Sequence, residues 1–391
     1  MLLDISVCII IFLIGFNLKN FFKGFSIYDN KILTQLFFYH FGIAILFHFY
    51  VNNFGGDALG YWLEPKSNSF QNIINIVSNG GASGALYLLN YFPSKILNLS
   101  FFTGNMFYAL FGYLGIVYFY SLSKSLIPSI KNITSYKVLG IPIFPWIWFL
   151  PNLHFWSSGI GKDTILFFCI SLFIYSFQRK SKKIIGIFIS LLLSLLIRPH
   201  ITLFLIIAFG VGYAFDSKLK GYQKIAIILI FLIGFVSIFN SVLNFVHIES
   251  FDTQTIEDFT SKKAFNLSKK VSTGSAVDIS GYPFPLKVFT FLYRPFFIDG
   301  FGVLSIIASI ENLFLLAFSF AIIKNKPMKI LKNGTPIIIA ILVFFILGTI
   351  SFSMILGNLG IMMRQKNMFI PSLIIFGSWI ISRNNSNNEI L

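Results

Sequence analysis

Polar residues in this 391-residue chain are confined to short islands, and apolar runs of helix length recur between them from one end to the other. A bilayer-spanning helix needs about 20 mostly apolar residues, with a range of about 17 to 25. Eleven runs approach that length: residues 2–17, 32–50, 101–122, 138–156, 164–178, 184–197, 201–215, 225–246, 301–323, 335–356 and 368–382. The runs 164–178, 184–197 and 201–215 are short for a bilayer, which predicts helices that are broken, tilted or extended by their flanks. The pattern as a whole predicts an all-α, multi-pass integral membrane protein of about 11 transmembrane helices, a single polytopic domain over residues 1–391. Two longer polar stretches interrupt it, at about 51–100 and about 247–285. The first holds a further apolar piece, 83–92, expected to lie in the interface or to dip into the membrane. The middle of the second, charged from Glu249 to Lys270, predicts either a short amphipathic helix acting as a lid or a solvated loop.

Composition supports this reading and closes off others. Hydrophobic residues make up 56% of the chain, Phe alone 50 positions, and the mean hydropathy is +0.79. Charged residues make up 11%, against about 25% in a soluble domain. The net charge of +16 would suggest nucleic acid in a soluble protein. Here most of the excess sits in islands between spans, where it orients the chain, so no nucleic-acid partner is expected. Segments 18–31, 123–137, 179–183, 216–224, 324–334 and 383–391 hold 18 Lys/Arg against 3 Asp/Glu, whereas the rest of the chain holds 12 against 11. The positive-inside rule therefore predicts that these segments are cytoplasmic, with the N-terminus outside and the C-terminus inside. The first span carries Asp4 and lacks both a basic leader and a small-residue cleavage site, so it reads as a retained helix. Cys8 and Cys169 fall in separate apolar runs and give neither a disulfide framework nor a metal site, and no metal or cofactor is expected.

Against this topology, several cations fall on the predicted outer face, where an anionic ligand would explain them. Lys162 follows an aromatic run ending at Trp156 and opens the next apolar run in Gly161-Lys162-Asp163-Thr164. A helix N-terminus plus a lysine makes an anion site. Asp163 capping the helix, with Lys162 snorkelling outward, is the structural alternative. The spacing excludes a nucleotide P-loop, since Trp156 stands where that loop requires Gly. Arg198-Pro199-His200 separates two apolar runs by three residues, so Arg198 lies at or inside the membrane boundary, where an arginine is costly and a functional-site candidate by default, a snorkelling pair at a tight outer turn being the structural alternative. Arg294 precedes the run 301–323, and Glu311 lies within it; Glu311 needs a partner, with Arg294 and Arg364 as the candidates. Arg364 and Lys366 close the set. Guanidinium groups suit phosphate and pyrophosphate, and at a membrane boundary the natural anion is a lipid-linked phosphate. Asp57 follows Gly55-Gly56 in the first outer loop, where it could act as general base, with His200 the second choice. Tyr61, Trp62 and Trp156 could stack on sugars, although interfacial aromatics commonly serve as anchors.

The many-span layout, Gly55-Gly56-Asp57, the segment Ser157 to Asp163, Arg198-Pro199-His200 and the late Arg364 resemble bacterial surface-polysaccharide (O-antigen or capsule) polymerases of the Wzy or EpsG type. These are similar in architecture to the GT-C class of polyprenyl-dependent glycosyltransferases. The resemblance implies a GT-C-like arrangement with two larger outer loops, in the bacterial inner membrane. It implies an enzyme joining undecaprenyl-pyrophosphate-linked oligosaccharide repeat units on the extracytoplasmic face. Its partners would be that lipid-linked glycan, the bilayer and polysaccharide-assembly proteins. On this reading Arg198, Arg294, Arg364, Lys162 and Lys366 bind the pyrophosphate and Asp57 or His200 takes the acceptor proton, while Tyr61, Trp62, Trp156 and Glu311 contact substrate. A GT-C enzyme often pairs acidic residues in its first loop; here Asp57 has no adjacent acid, which points away from a metal-assisted mechanism. A single-sugar GT-C-like transferase, an O-antigen ligase and a non-enzymatic lipid-linked oligosaccharide flippase remain alternatives.

Overall fold

The computed structural model of the chain describes residues 1–81, 83–178, 184–214, 216, 219–246, 275–300 and 302–388. These residues are overwhelmingly helical, with one two-stranded hairpin. Five helices are long and apolar enough to cross a membrane: α1 (Leu2–Asn17, continued by a 3₁₀ turn to Phe21), α2 (Ile27–Phe54), α6 (Phe101–Leu126), α14 (Val303–Lys324) and α16 (Pro336–Ile355). A sixth span is available if α8 (Pro151–Ser157) and α9 (Lys162–Gln178), bent by 106°, are taken together. The chain is thus an all-α membrane protein, with five or six span-length helices and several shorter apolar ones among the described residues, against about eleven apolar runs in the sequence.

The difference has local causes. The run 138–156 is not a helix: β1 (Lys137–Val138) and β2 (Ile141–Pro142) form a hairpin, followed by a 3₁₀ turn at Trp146–Phe149 and then α8. Gly140 at φ +80° makes the turn, and Pro142, Pro145 and Pro151 remove the N–H groups that a continuous helix would need. The three short runs do form helices: α9, α10 (Ile184–Ile197) and α11 (Pro199–Ala214). At 1.5 Å per residue, α9 is about 25 Å long, less than the roughly 30 Å hydrocarbon core. α12 (Gly221–Val246) occupies the next run. The acidic and basic middle of the predicted second loop, residues 247–274, and the cluster Arg179–Lys183 lie outside the described residues.

The chain divides into two compact units. The first comprises residues 1–122 and 153–199. Its centre is α9, in which every residue from Asp163 to Ser176 is buried. α10 packs along it, and Gly186 lets the two backbones close, since a Cβ there would lie 2.3 Å from Ser176 Oγ. α2 starts at a capping box between Ser26 and Asp29, and the buried Asp29 carboxylate also accepts from Tyr120 Oη at 2.8 Å, fixing α2 to α6. Where a loop was expected at 51–100 the chain is largely helical. α3 (Asp57–Ser67), α4 (Phe70–Ser78) and α5 (Gly84–Asn90) precede a π-helical turn, Tyr91–Ile96, and the apolar piece at 83–92 packs back on α3 and α4.

The second unit comprises residues 123–152 and 200–391. It adds α7 (Ile130–Ser135), α13 (Phe284–Tyr293), α15 (Pro327–Leu331), α17 (Leu359–Lys366) and α18 (Ile370–Asn388). α18 is its core, buried from Ile370 to Ser382, with α7, α14, α15 and α16 packed on it. A Cβ at Gly348 would lie 2.1 Å from the Phe369 ring, and one at Gly377 would lie 2.3 Å from Ile322, so close packing again depends on absent side chains.

Between α2 and α3, Gly55 at φ +75° and Gly56 at φ +143°, ψ 168° turn the chain; the second conformation is open essentially to glycine alone. Gly56→Ala should therefore cost about 1–3 kcal/mol. A thermal unfolding midpoint in detergent equal to that of the parent chain would count against this account of the turn.

Candidate functional site

In the first unit, α8 and α9 are separated by four residues, Ser158–Gly161, that are non-helical and yet buried. Backbone polar groups buried in this way must find partners within the protein. Asn105, wholly buried on α6, accepts from the Ile160 N–H at 3.1 Å and donates to Phe101 O at 3.2 Å. Thr164 Oγ1 donates to Gly159 O at 2.6 Å. The loop can come this close because α6 and the loop carry glycines: a Cβ at Gly112 would lie 1.8 Å from Ser157 O, and one at Gly159 would lie 1.9 Å from the Phe47 ring.

Histidines line the same region. His40 and His154, both buried, meet through their Nδ1 atoms at 2.8 Å, so one ring donates to the other. Asn105 Nδ2 also lies 3.1 Å from His48 Nδ1. The Asn105 oxygen accepts from Ile160, and its amide nitrogen is the atom that faces His48. His48 Nε2 in turn lies 2.9 Å from Asn52 Nδ2, so the ring stands between two asparagine side chains.

This framework presents the N-terminus of α9. The first N–H groups of a helix lack intrahelical partners and carry partial positive charge. Half-buried Lys162 stands with Nζ 5.6 Å from the centroid of the Tyr61 ring, a cation–π contact. Tyr61 and Asp57 lie one turn apart on one face of α3, with Asp57 exposed as the first helical residue. Arg198, at the end of α10, places Nη1 3.2 Å from Asp163 Oδ1, and both side chains are largely buried. Asp163, at the start of α9, thus forms an ion pair with Arg198, at the end of α10. A helix N-terminus, a lysine and an arginine are the kinds of group that suit a phosphate-like anion.

The other expected residues of this unit have different surroundings. Trp62 was expected to stack on a sugar. Instead its ring is buried against Gly104, where a Cβ would lie 2.7 Å away, and its Nε1 donates to Leu99 O at 3.3 Å, so it packs α3 against α6. Trp156 is half-buried, edge-on to Phe155 and Phe47 at 5.1 and 6.5 Å.

In the second unit the expected cations are built into the structure. Arg294 was a candidate partner for Glu311 but instead grips Asp299: Nε donates to Oδ2 at 3.0 Å, Nη2 donates to Oδ1, and the Phe296 N–H donates to Oδ2 at 2.7 Å. This grip holds the Asp299 carboxyl below the ordinary range. Lys366 was expected to face an outer anion. It is fully buried and donates to Leu292 O at 2.9 Å and to Asn312 Oδ1. Glu311, 3% exposed, accepts from the Asn152 N–H at 2.6 Å and is neighboured by the Lys366 charge, with neither Arg294 nor Arg364 as the partner of its carboxylate. Arg364 is half-buried on α17, and His200 is half-buried at the start of α11, its ring 5.7 Å from that of Phe352.

Sequence reasoning passed over Asn105, His40, His48 and His154. Their one signal was polar side chains on apolar spans, with His48 and Asn52 four apart and His40 eight before His48, which places all three on one face of α2. No protein-family model, curated protein or solved structure matches the chain.

Two outcomes follow from this geometry. Gly112→Ala must displace Ser157 O and should destabilise the first unit by about 1–3 kcal/mol, read as a lower unfolding midpoint; an unchanged midpoint would show that the loop does not need this approach. Asp299 has a depressed folded-state pKa, so its stabilisation is full above the unfolded carboxylate value, near 4, and is lost as pH falls through the folded value. Acidification below about pH 4 should lower the parent midpoint more than that of Asp299→Asn, and parallel curves would refute the linkage.

Proposed function

We propose that the protein is a membrane glycosyltransferase of the polysaccharide-polymerase type, with a GT-C-like arrangement, acting on polyprenyl-pyrophosphate-linked glycan at the extracytoplasmic face. The observation that supports the reading is the buried loop Ser158–Gly161 leading into the α9 N-terminus, where Lys162 stands and Arg198 pairs with Asp163. A pyrophosphate leaving group gains negative charge as its bond to the sugar breaks, and fixed donors aimed at that charge lower the barrier. Asp57, exposed at the head of α3 one turn from the Tyr61 ring beneath Lys162, is suited to take the acceptor hydroxyl proton.

The buried Glu311 and Lys366 favour a second reading, a lipid-linked oligosaccharide flippase, since ionisable groups inside a membrane domain commonly mark transport pathways. One assay separates the two. Purified protein given lipid-linked repeat units should produce a ladder of products. Lys162→Ala and the charge-neutral double variant Arg198→Gln/Asp163→Asn should reduce it by about a hundredfold or more while keeping the parent unfolding midpoint. Full ladders from both variants would sink the proposal, and lipid translocation without any ladder would favour the flippase.

A further inference from the structure

A pole of the second unit gathers lysines from segments far apart in sequence. Asn325, at the C-terminal end of α14, donates from Nδ2 to Tyr136 Oη at 3.4 Å and accepts on Oδ1 from Asn384 Nδ2 at 2.8 Å. The Ser129 N–H donates to Ser382 Oγ at 2.9 Å, and that hydroxyl donates back to Ser129 O at 3.0 Å. The end of α14, the C-terminal part of α18, α7 and the hairpin strand β1 are therefore joined at one place. Exposed there are Lys131 and Lys137, with Lys324, Lys326, Lys329 and Lys332 running through α15. Among the described residues of the segments that build the pole, 123–142, 324–335 and 383–388, there is no Asp or Glu. Six like charges gathered from these described segments repel one another, and an external anion would relieve that repulsion.

Apolar side chains project among them. Leu139, at the hairpin tip, is 62% exposed and has φ +48°, a left-handed conformation that hairpin turns ordinarily give to Asn, Asp or Gly. Met328 on α15 is 79% exposed. In water each of these features is unfavourable; at the surface of a lipid leaflet the side chains can insert between headgroups while neighbouring lysines reach phosphate. Connectivity fixes the setting, because α14 and α16 are both span-length apolar helices and only residues 325–335 join them. That segment must lie at a bilayer surface.

We propose that this pole is a docking surface for anionic phospholipid headgroups, with the lysines of α14 and α15 on the phosphates and Leu139 and Met328 inserted into the leaflet. It is independent of the reading given to the α9 loop. The test uses full-length protein in neutral detergent with equal amounts of phosphatidylglycerol and phosphatidylcholine, with retained lipid counted by native mass spectrometry. Phosphatidylglycerol should be retained in preference by about tenfold or more, and the preference should fall in about 1 M salt, where the screening length is about 3 Å. Replacing Lys324, Lys326, Lys329 and Lys332 together by Gln should remove most of it, as should the smaller variant Lys131→Gln/Lys137→Gln in part. Lys23→Gln/Lys31→Gln, in the first unit, should leave it intact. Leu139→Asn should weaken retention of both lipids while keeping the preference. Equal retention of the two lipids, or a full preference in the fourfold variant, would overturn the proposal. So would displacement of the lipid by an equal concentration of inorganic phosphate, which would make the site one for free phosphate.

Discussion

The first unit is organised around a stretch of irregular backbone buried where water is not available to satisfy it. Residues Ser158–Gly161 leave the helical ladder within an apolar core, and an unpaired N–H or C=O there costs several kcal/mol. Ile160 N–H is answered by Asn105 and Gly159 O by Thr164, while Gly112 and Gly159 vacate the space that the chain must occupy. These partners determine more than local comfort. They fix the angle at which α9 begins, and with it the direction of its first N–H groups and the position of Lys162.

Charge follows the same rule as backbone. Arg198 and Arg294 are each held by an aspartate, and Lys366 is held by a carbonyl and an asparagine oxygen. Buried Glu311 is met by a backbone N–H. A carboxylate beside an arginine reduces the net positive charge offered to a ligand but also fixes the plane of the guanidinium, and recognition of a phosphate depends on that plane. The two arginines differ in consequence. Asp299 takes both faces of the Arg294 fork and shares itself with a backbone N–H, making a closed loop brace. Asp163 pairs with Arg198 at the N-terminal end of α9, and both side chains are largely buried.

Helix packing relies on small residues at the points of closest approach. Gly186 on α10, Gly348 on α16 and Gly377 all face neighbouring atoms at distances no Cβ could share. In lipid the apolar effect gives helices little reason to associate, so close approach and interhelical hydrogen bonds such as Tyr120 to Asp29 supply it. Large aromatic side chains fill the remaining space, consistent with the 50 phenylalanines.

The apolar periodicity alone determined that this is a helical membrane protein, and it placed most helices within a few residues, because span length and hydropathy are local properties. It also located the break before α9 and the Arg198-Pro199 junction between α10 and α11. It misjudged 138–156, where hydropathy outvoted a glycine and three prolines, and it mistook the helical segment after Gly56 for a loop. Only the tertiary structure decided which charges meet. Asp163 lies 35 residues from Arg198. Glu311 could have paired with any of several cations, and Lys366 gave no sign in sequence of being buried. Pairings of this kind are set by how helices pack, and a one-dimensional pattern of polar positions records that a charge exists without recording what stands opposite it.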